Sequence, residues 1–112
     1  MLLSMEADAP RPDGSVVARI DGEWDISSEL EIVKWVTELL REPPSKLVLD
    51  LRGLSFIDSS GLRALIGIQR RTIARDTGLE IVYGKGQVER VFSTVRLESF
   101  MSVRLVEDRE QI

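Results

Sequence analysis

Lys46-Leu47-Val48-Leu49-Asp50-Leu51-Arg52-Gly53-Leu54-Ser55-Phe56-Ile57-Asp58-Ser59-Ser60-Gly61-Leu62 is the stretch on which the fold turns. Lys46 to Leu51 is short, apolar and rich in aliphatics, as a central buried strand requires. Arg52 to Ile57 leads from it to Asp58-Ser59-Ser60-Gly61, where the chemistry changes to that of a helix start. Asp58 or Ser59 is a suitable N-cap, because its side-chain oxygen accepts hydrogen bonds from the first free amides of a helix. From Ser60 to Thr77, Leu62, Leu65, Ile66, Gln69 and Ile73 recur on one helical face, and Gly78 sits where a C′ glycine would close the helix.

Working outward, Ser15-Val16-Val17-Ala18-Arg19-Ile20-Asp21 reads as a strand, with a weaker one at Leu2–Glu6. The turn-forming Asp8-Ala9-Pro10-Arg11-Pro12-Asp13-Gly14 between them makes the pair a hairpin. Ser28 with Glu31 fits a capping box, and Leu30, Val33, Val36 (or Thr37) and Leu40 then recur at helical spacing up to Pro43-Pro44, which predicts a helix over about residues 28–41. Beyond Gly78, Leu79–Tyr83 alternates as a strand. Gln87–Leu97 places Val88, Val91, Phe92 and Val95 at helical spacing, and Met101–Val106 predicts a last strand. The order β-(β)-α-β-α-β-α-β implies an α/β domain with helices on a largely parallel or mixed sheet.

Composition narrows the function. A chain of 112 residues holds one domain, here 1–112, and 43% apolar with 30% charged residues is an ordinary globular balance. No run approaches the roughly 20 apolar residues of a membrane span, and Met1–Glu6 lacks the charge and length of a secretion signal, so a cytoplasmic location without membrane insertion is expected. With no cysteine and no histidine, thiolate chemistry, disulfides, and the commonest general base and metal ligand are excluded. The net charge of −4 is uneven: residues 1–58 hold 6 basic against 12 acidic side chains, residues 59–112 hold 9 against 7. Such polarity either steers a protein partner or marks a solvated surface, and the acidic balance argues against nucleic acid.

At a helix start the ordinary role of Asp58 and Ser59 is capping. A serine here also suits a phosphoryl group, which adds roughly −1.5 to −2 charge that the helix dipole favours and the neighbouring Asp58 carboxylate opposes. Such a modification changes the surface without unfolding the domain, as a binding switch requires.

The run Asp50-Leu51…Leu54-Ser55-Phe56-Ile57-Asp58-Ser59-Ser60-Gly61-Leu62 resembles the signature of the STAS domain of bacterial anti-sigma factor antagonists. Gly22-Glu23-Trp24-Asp25 is similar to the family's glycine-acidic-aliphatic-aspartate segment, with Trp24 a departure from the usual aliphatic, and Val88-Glu89-Arg90-Val91-Phe92 fits its last helix. The resemblance implies a STAS fold with a mixed central sheet of four to five strands and three to four helices. It implies a non-enzymatic, cofactor-free protein that binds an anti-sigma factor when unphosphorylated and thereby frees a sigma factor. That partner is also a serine kinase, of the histidine-kinase-like ATPase type, and its phosphorylation of Ser59, with Ser60 the neighbouring alternative, breaks the complex; a serine phosphatase restores it. Glu23, Asp25, Asp58, Ser59, Ser60, Gly61 and Arg63 form the implied partner-facing set. A STAS subunit of a lipid-transporting ABC system, or of a stress-signalling scaffold, is the alternative.

Several further features carry two readings. Asp21, Glu23 and Asp25 alternate, so on an extended segment they would share a face able to bind Mg²⁺, or simply protect a solvated strand edge. Glu23, Asp25 and Asp58 would serve a small acid–base enzyme, but no substrate-pocket or cofactor motif accompanies them. Gly84-Lys85-Gly86 reads as a strand-to-helix turn, since no phosphate-binding fingerprint surrounds it. Arg63, Arg70, Arg71 and Arg75 give the second helix a basic flank; Arg63 and Arg70, seven apart, lie on one side and either meet an acidic partner or keep the face soluble. Trp35, off the main apolar stripe, is an interface anchor or a cover for the core edge.

Overall fold

The computed structural model describes residues 3–107 and 111–112. Its elements run β1 (Leu3–Ala7), β2 (Val16–Trp24), α1 (Glu29–Leu39), β3 (Lys46–Asp50), β4 (Leu54–Ile57), α2 (Ser59–Ala74), β5 (Gly78–Tyr83), α3 (Gln87–Val95), a 3-10 turn (Leu97–Ser99) and β6 (Val103–Leu105). The first hairpin is present as expected, with Leu2 of its first strand outside the described residues. The strands form one mixed sheet in the order β1-β2-β3-β5-β6, with β4 paired to β2; β1 is antiparallel to β2 and every other pairing is parallel.

Six strands stand where four to five were expected. The additional one is β4, which the sequence reading left as a connection. β2 is long enough to pair twice on the same side, with β3 through Val16–Arg19 and with β4 through Gly22–Trp24. Between these pairings the chain turns at Leu51-Arg52-Gly53. The buried Asp50 carboxylate grips Arg52 there, with Nε to Oδ1 and Nη2 to Oδ2 both at 2.9 Å. Two-point contact of this kind fixes direction as well as charge.

Alternation along the strands divides the interior. Ile20, Leu49 and Ile81 face the larger core, which takes in side chains from all three helices, whereas Val17, Val48 and Val82 face away into a smaller cluster with Val106. On α1 the buried residues are Ile32 and Val36, with Leu40 beyond, so the helix is turned from the expected stripe and Leu30 is 72% exposed. On α2 the buried stripe is Gly61, Ala64, Leu65, Ile68 and Thr72, displaced from the expected one, and Ile73 is exposed. The small Gly61 and Ala64 face the sheet because they let the helix approach it closely. Trp35 is half-buried against the edge of the core.

Two expected caps are also corrected. Ser28 makes no side-chain cap: its hydroxyl turns back to the Asp25 carbonyl at 3.1 Å and accepts from the Asp25 amide, so no capping box with Glu31 forms. At the end of α2 the left-handed residue is Asp76 (φ 55), with Thr77 N–H donating to Thr72 O and Asp76 N–H to Ile73 O. This is the Schellman pattern, closed two residues before Gly78. Gly78 instead opens β5 opposite Lys46, its amide bonded to Ser45 O.

Candidate functional site

β2 and β4 run parallel with Trp24 opposite Ile57, so Asp25 and Asp58 each leave the end of one of two adjacent strands. In open α/β sheets this carboxyl end is where binding residues gather. The structure thus brings the Glu23–Asp25 and Asp58–Gly61 segments, far apart in sequence, to one edge of the molecule.

Asp58 is the N-cap of α2. Its extended backbone (φ −119, ψ −170) aims Oδ1 at the helix start, where it accepts from Ser60 N–H at 3.0 Å and Gly61 N–H at 3.2 Å. The open choice between Asp58 and Ser59 as cap is thereby decided. The same oxygen accepts the Ser60 hydroxyl at 2.5 Å, and Ser60 is buried. Ser59, the first helical residue, is exposed, and its hydroxyl makes no hydrogen bond among the described residues. Two adjacent serines are therefore chemically unlike: one is held inward by the capping carboxylate, the other points to solvent.

Gly61 sets how close the helix start comes to the sheet. A Cβ there would lie 2.5 Å from Ile57 Cγ1 and 3.3 Å from Trp24 Cγ, so only glycine fits without displacement. Trp24, the departure noted in the sequence, is fully buried beneath this contact, with its Nε1 unpartnered among the described residues. The aromatic ring in the aliphatic position thus serves as the floor of the site.

Gln87, the first residue of α3, was missed by the sequence reading. Its side-chain amide accepts from Ile57 N–H at 2.9 Å and donates to Ile57 O at 2.8 Å, replacing the neighbouring strand that β4 lacks on this side. The residue before Asp58 is thereby tied on both sides, by β2 and by Gln87. Only its place just after the Gly84-Lys85-Gly86 turn hinted at any special position. That turn is the expected strand-to-helix link, with Lys85 3.8 Å from Glu107.

On the β2 side, Asp25 Oδ1 accepts from the Ser27 hydroxyl at 2.5 Å and the Ser27 amide at 2.9 Å. The Ser27 hydroxyl, with lesser help from the amides of Ser27 and Ser28, holds the Asp25 carboxyl below the usual carboxylate range. Glu23 lies opposite Phe56 and is half-buried. The register shift between Gly22 and Glu23 breaks the alternation that would put Asp21, Glu23 and Asp25 on one face. Asp21 instead packs on the β3–β4 turn, where a Cβ at Gly53 would overlap its carboxylate. Among the described residues no group of three or more such side chains is placed to hold a metal ion. Arg63 is exposed one turn along α2 from Ser59, and neither it nor Arg70, Arg71 or Arg75 forms an ion pair among the described residues.

A mixed sheet with a helix layer, a long second strand serving two partners and a capped serine pair at the strand ends define the α/β domain. The chain belongs to the STAS domain family, whose model matches residues 6–111. Its fold is similar to that of an anti-sigma factor antagonist from Mycobacterium paratuberculosis, at 22% identity over 89% of this chain and 85% of the other, with a TM-score of 0.76. It is similar to the anti-sigma factor antagonist SpoIIAA in its unphosphorylated form, at 22% identity over 94% and 90%, TM-score 0.74. It is also similar to the Bacillus cell fate determinant SpoIIAA in its phosphorylated form, at 19% identity over 94% and 93%, TM-score 0.68. No curated protein sequence gives a significant match. Among the described residues no helix is long and apolar enough to cross a membrane.

Proposed function

We propose that this chain is an anti-sigma factor antagonist. Unphosphorylated, it binds an anti-sigma factor that is also a serine kinase of the histidine-kinase-like ATPase type, and phosphorylation of Ser59 by that kinase releases it. The observation that carries this reading is the contrast between the serines: Ser59 is exposed and unengaged at the start of α2, while Ser60 is buried and bonded to Asp58. A phosphate on Ser59 would add charge at the helix start beside Asp58, repelling a surface fitted to the uncharged hydroxyl. The rigid cap, with Gln87 behind it, lets the surface change while the core stays. That a protein of similar fold has been solved both with and without its phosphate supports a phosphate being tolerated here. Ser59 is then the recipient of catalysis, and Glu23, Asp25, Asp58, Gly61 and Arg63 are the surface that the kinase meets. A serine phosphatase would reset it.

The test is incubation of the purified chain with its kinase and ATP, followed by intact-mass measurement. One phosphate per chain is expected on the wild type and none on Ser59→Ala. Labelling that persists in Ser59→Ala would move the acceptor to another residue. Recovery of an ABC ATPase in place of a kinase from the native cell would replace this reading with that of a transporter subunit.

A further inference from the structure

A groove runs between α1 and α2, and nothing in the serine switch accounts for it. Its first lobe, of about 370 Å³, opens beside Ile26, Leu30, Arg63 and Arg71; its second, of about 240 Å³, is bounded by Leu40, Arg71, Ala74 and Arg75. Arg71 borders both, so the two lobes lie in line along α2. Two large aliphatic side chains stand open at its entrance, Ile26 at 71% and Leu30 at 72% exposure. Together they set an apolar pair beside the arginines that line the same lobe, which form no ion pair among the described residues.

Two of the three cations are held in place. Arg71 donates to Gly67 O at 3.3 Å, and Arg75 reaches across the groove to Arg41 O at 3.1 Å. Neither bond neutralises a guanidinium, and α2 from Ser59 to Ala74 carries no acidic residue. Of the acids nearby, Glu29 lines the first lobe, and Glu38 is paired with Arg41 at 3.2 Å. The span from Arg63 to Arg75 is about 18 Å at 1.5 Å per helical residue, the length of a three-turn helix.

We propose that this groove docks an acidic amphipathic helix of a protein partner, with apolar side chains against Ile26 and Leu30 and carboxylates against Arg63, Arg71 and Arg75. A trough between two helices receives a third helix by its apolar stripe, and it presents no strand edge for β-addition. Three unneutralised guanidiniums select carboxylates. Ile26 directly follows Asp25, and Arg63 stands one turn from Ser59, so the groove continues the switch surface. In the cell the proposal therefore rests on the reading above, with the kinase as the partner that supplies the helix.

A titration separates the two. The ¹⁵N-labelled full chain receives a 16-residue helical peptide with leucines at i, i+4, i+7 and i+11 flanked by glutamates, and in parallel its lysine-for-glutamate counterpart. Amide shifts confined to the α1–α2 groove are expected with the acidic peptide alone. Arg71→Glu should weaken binding at least tenfold and Leu30→Ser at least threefold. Both are exposed positions, and circular dichroism checks that each variant is folded. No groove shifts, or equal shifts from the lysine peptide, would overturn the proposal. So would groove shifts produced by phosphatidylglycerol vesicles but not by the peptide, which would assign the groove to a membrane surface. Groove shifts that grow with protein concentration in the absence of peptide would assign it to a second copy of the chain. Loss of Ser59 labelling in the kinase assay leaves this titration unaffected, so each reading fails by its own measurement.

Discussion

Asp58 Oδ1 takes three donors at once, two helix amides and the Ser60 hydroxyl, and this concentration of bonds on one atom makes the neighbouring Ser59 the open position. The sequence Asp-Ser-Ser-Gly announces a helix start but not which serine is free, because that depends on how the helix is rotated over Trp24. Arg63 lies four residues beyond Ser59, on the same side of α2 and without an ion pair among the described residues. A phosphate on Ser59 would thus have a cation one turn away, the geometry of a helical i, i+4 pair. Under the proposed function, Arg63 would favour the dianion of a phosphate on Ser59. A ³¹P NMR titration should therefore show the second phosphate pKa rise by roughly 0.2 to 0.4 pH unit in Arg63→Ala. An unchanged titration would mean that Arg63 turns away from the modified serine and serves only the groove.

Helix α2 is positioned by what it lacks. With no side chain at residue 61 its first turn sits directly on Ile57 and Trp24, and Gly61→Ala forces a contact that must open by several tenths of an ångström. The expected loss is about 1–3 kcal/mol, read by denaturant unfolding, with the cap of Asp58 loosened in the same variant. Wild-type stability in Gly61→Ala would show that the helix start is free to lift. The same small residues explain why the buried stripe of α2 was read displaced: Gly61 and Ala64 give almost no hydrophobic signal, whereas Ile66 and Ile73 give a strong one and yet face outward. The buried strand β3, the hairpin and the order of helices were legible because their periodicities are local. β4 was not, since Leu54-Ser55-Phe56-Ile57 is short, does not alternate cleanly and owes its existence to pairing with β2. Gln87 was invisible for a related reason, as its bonds to Ile57 exist only once α3 has been laid beside β4. Asp76, taking the left-handed turn that Gly78 seemed made for, shows that a loop of the right length outweighs the ideal residue.

At the scale of the whole molecule, three surface carboxyls among the described residues, those of Asp8, Asp13 and Asp25, are held below their ordinary range. The first cause is Arg19 for Asp8, the Ser15 hydroxyl for Asp13 and the Ser27 hydroxyl for Asp25. In the unfolded chain these groups take up protons at higher pH than in the folded one. Between the two values the unfolded state therefore binds more protons, and acid favours it. The melting temperature should stay level above about pH 5 and fall as the pH is lowered through and below the ordinary carboxylate range near 4. Arg19→Ala, which releases Asp8 from its 2.9 Å pair, should flatten that fall. A melting curve that rises toward pH 3 would contradict the sign. The same domain joins an acidic first half of the sequence to a second half of small positive balance, to which the arginines of α2 contribute. Under the proposed function, the withdrawal of Ser60 into the cap also decides what a cell can write on this molecule. With one hydroxyl out of reach, each copy stores a single bit, and a population reports a stimulus by how many copies are flipped, with no doubly marked species to blur the count.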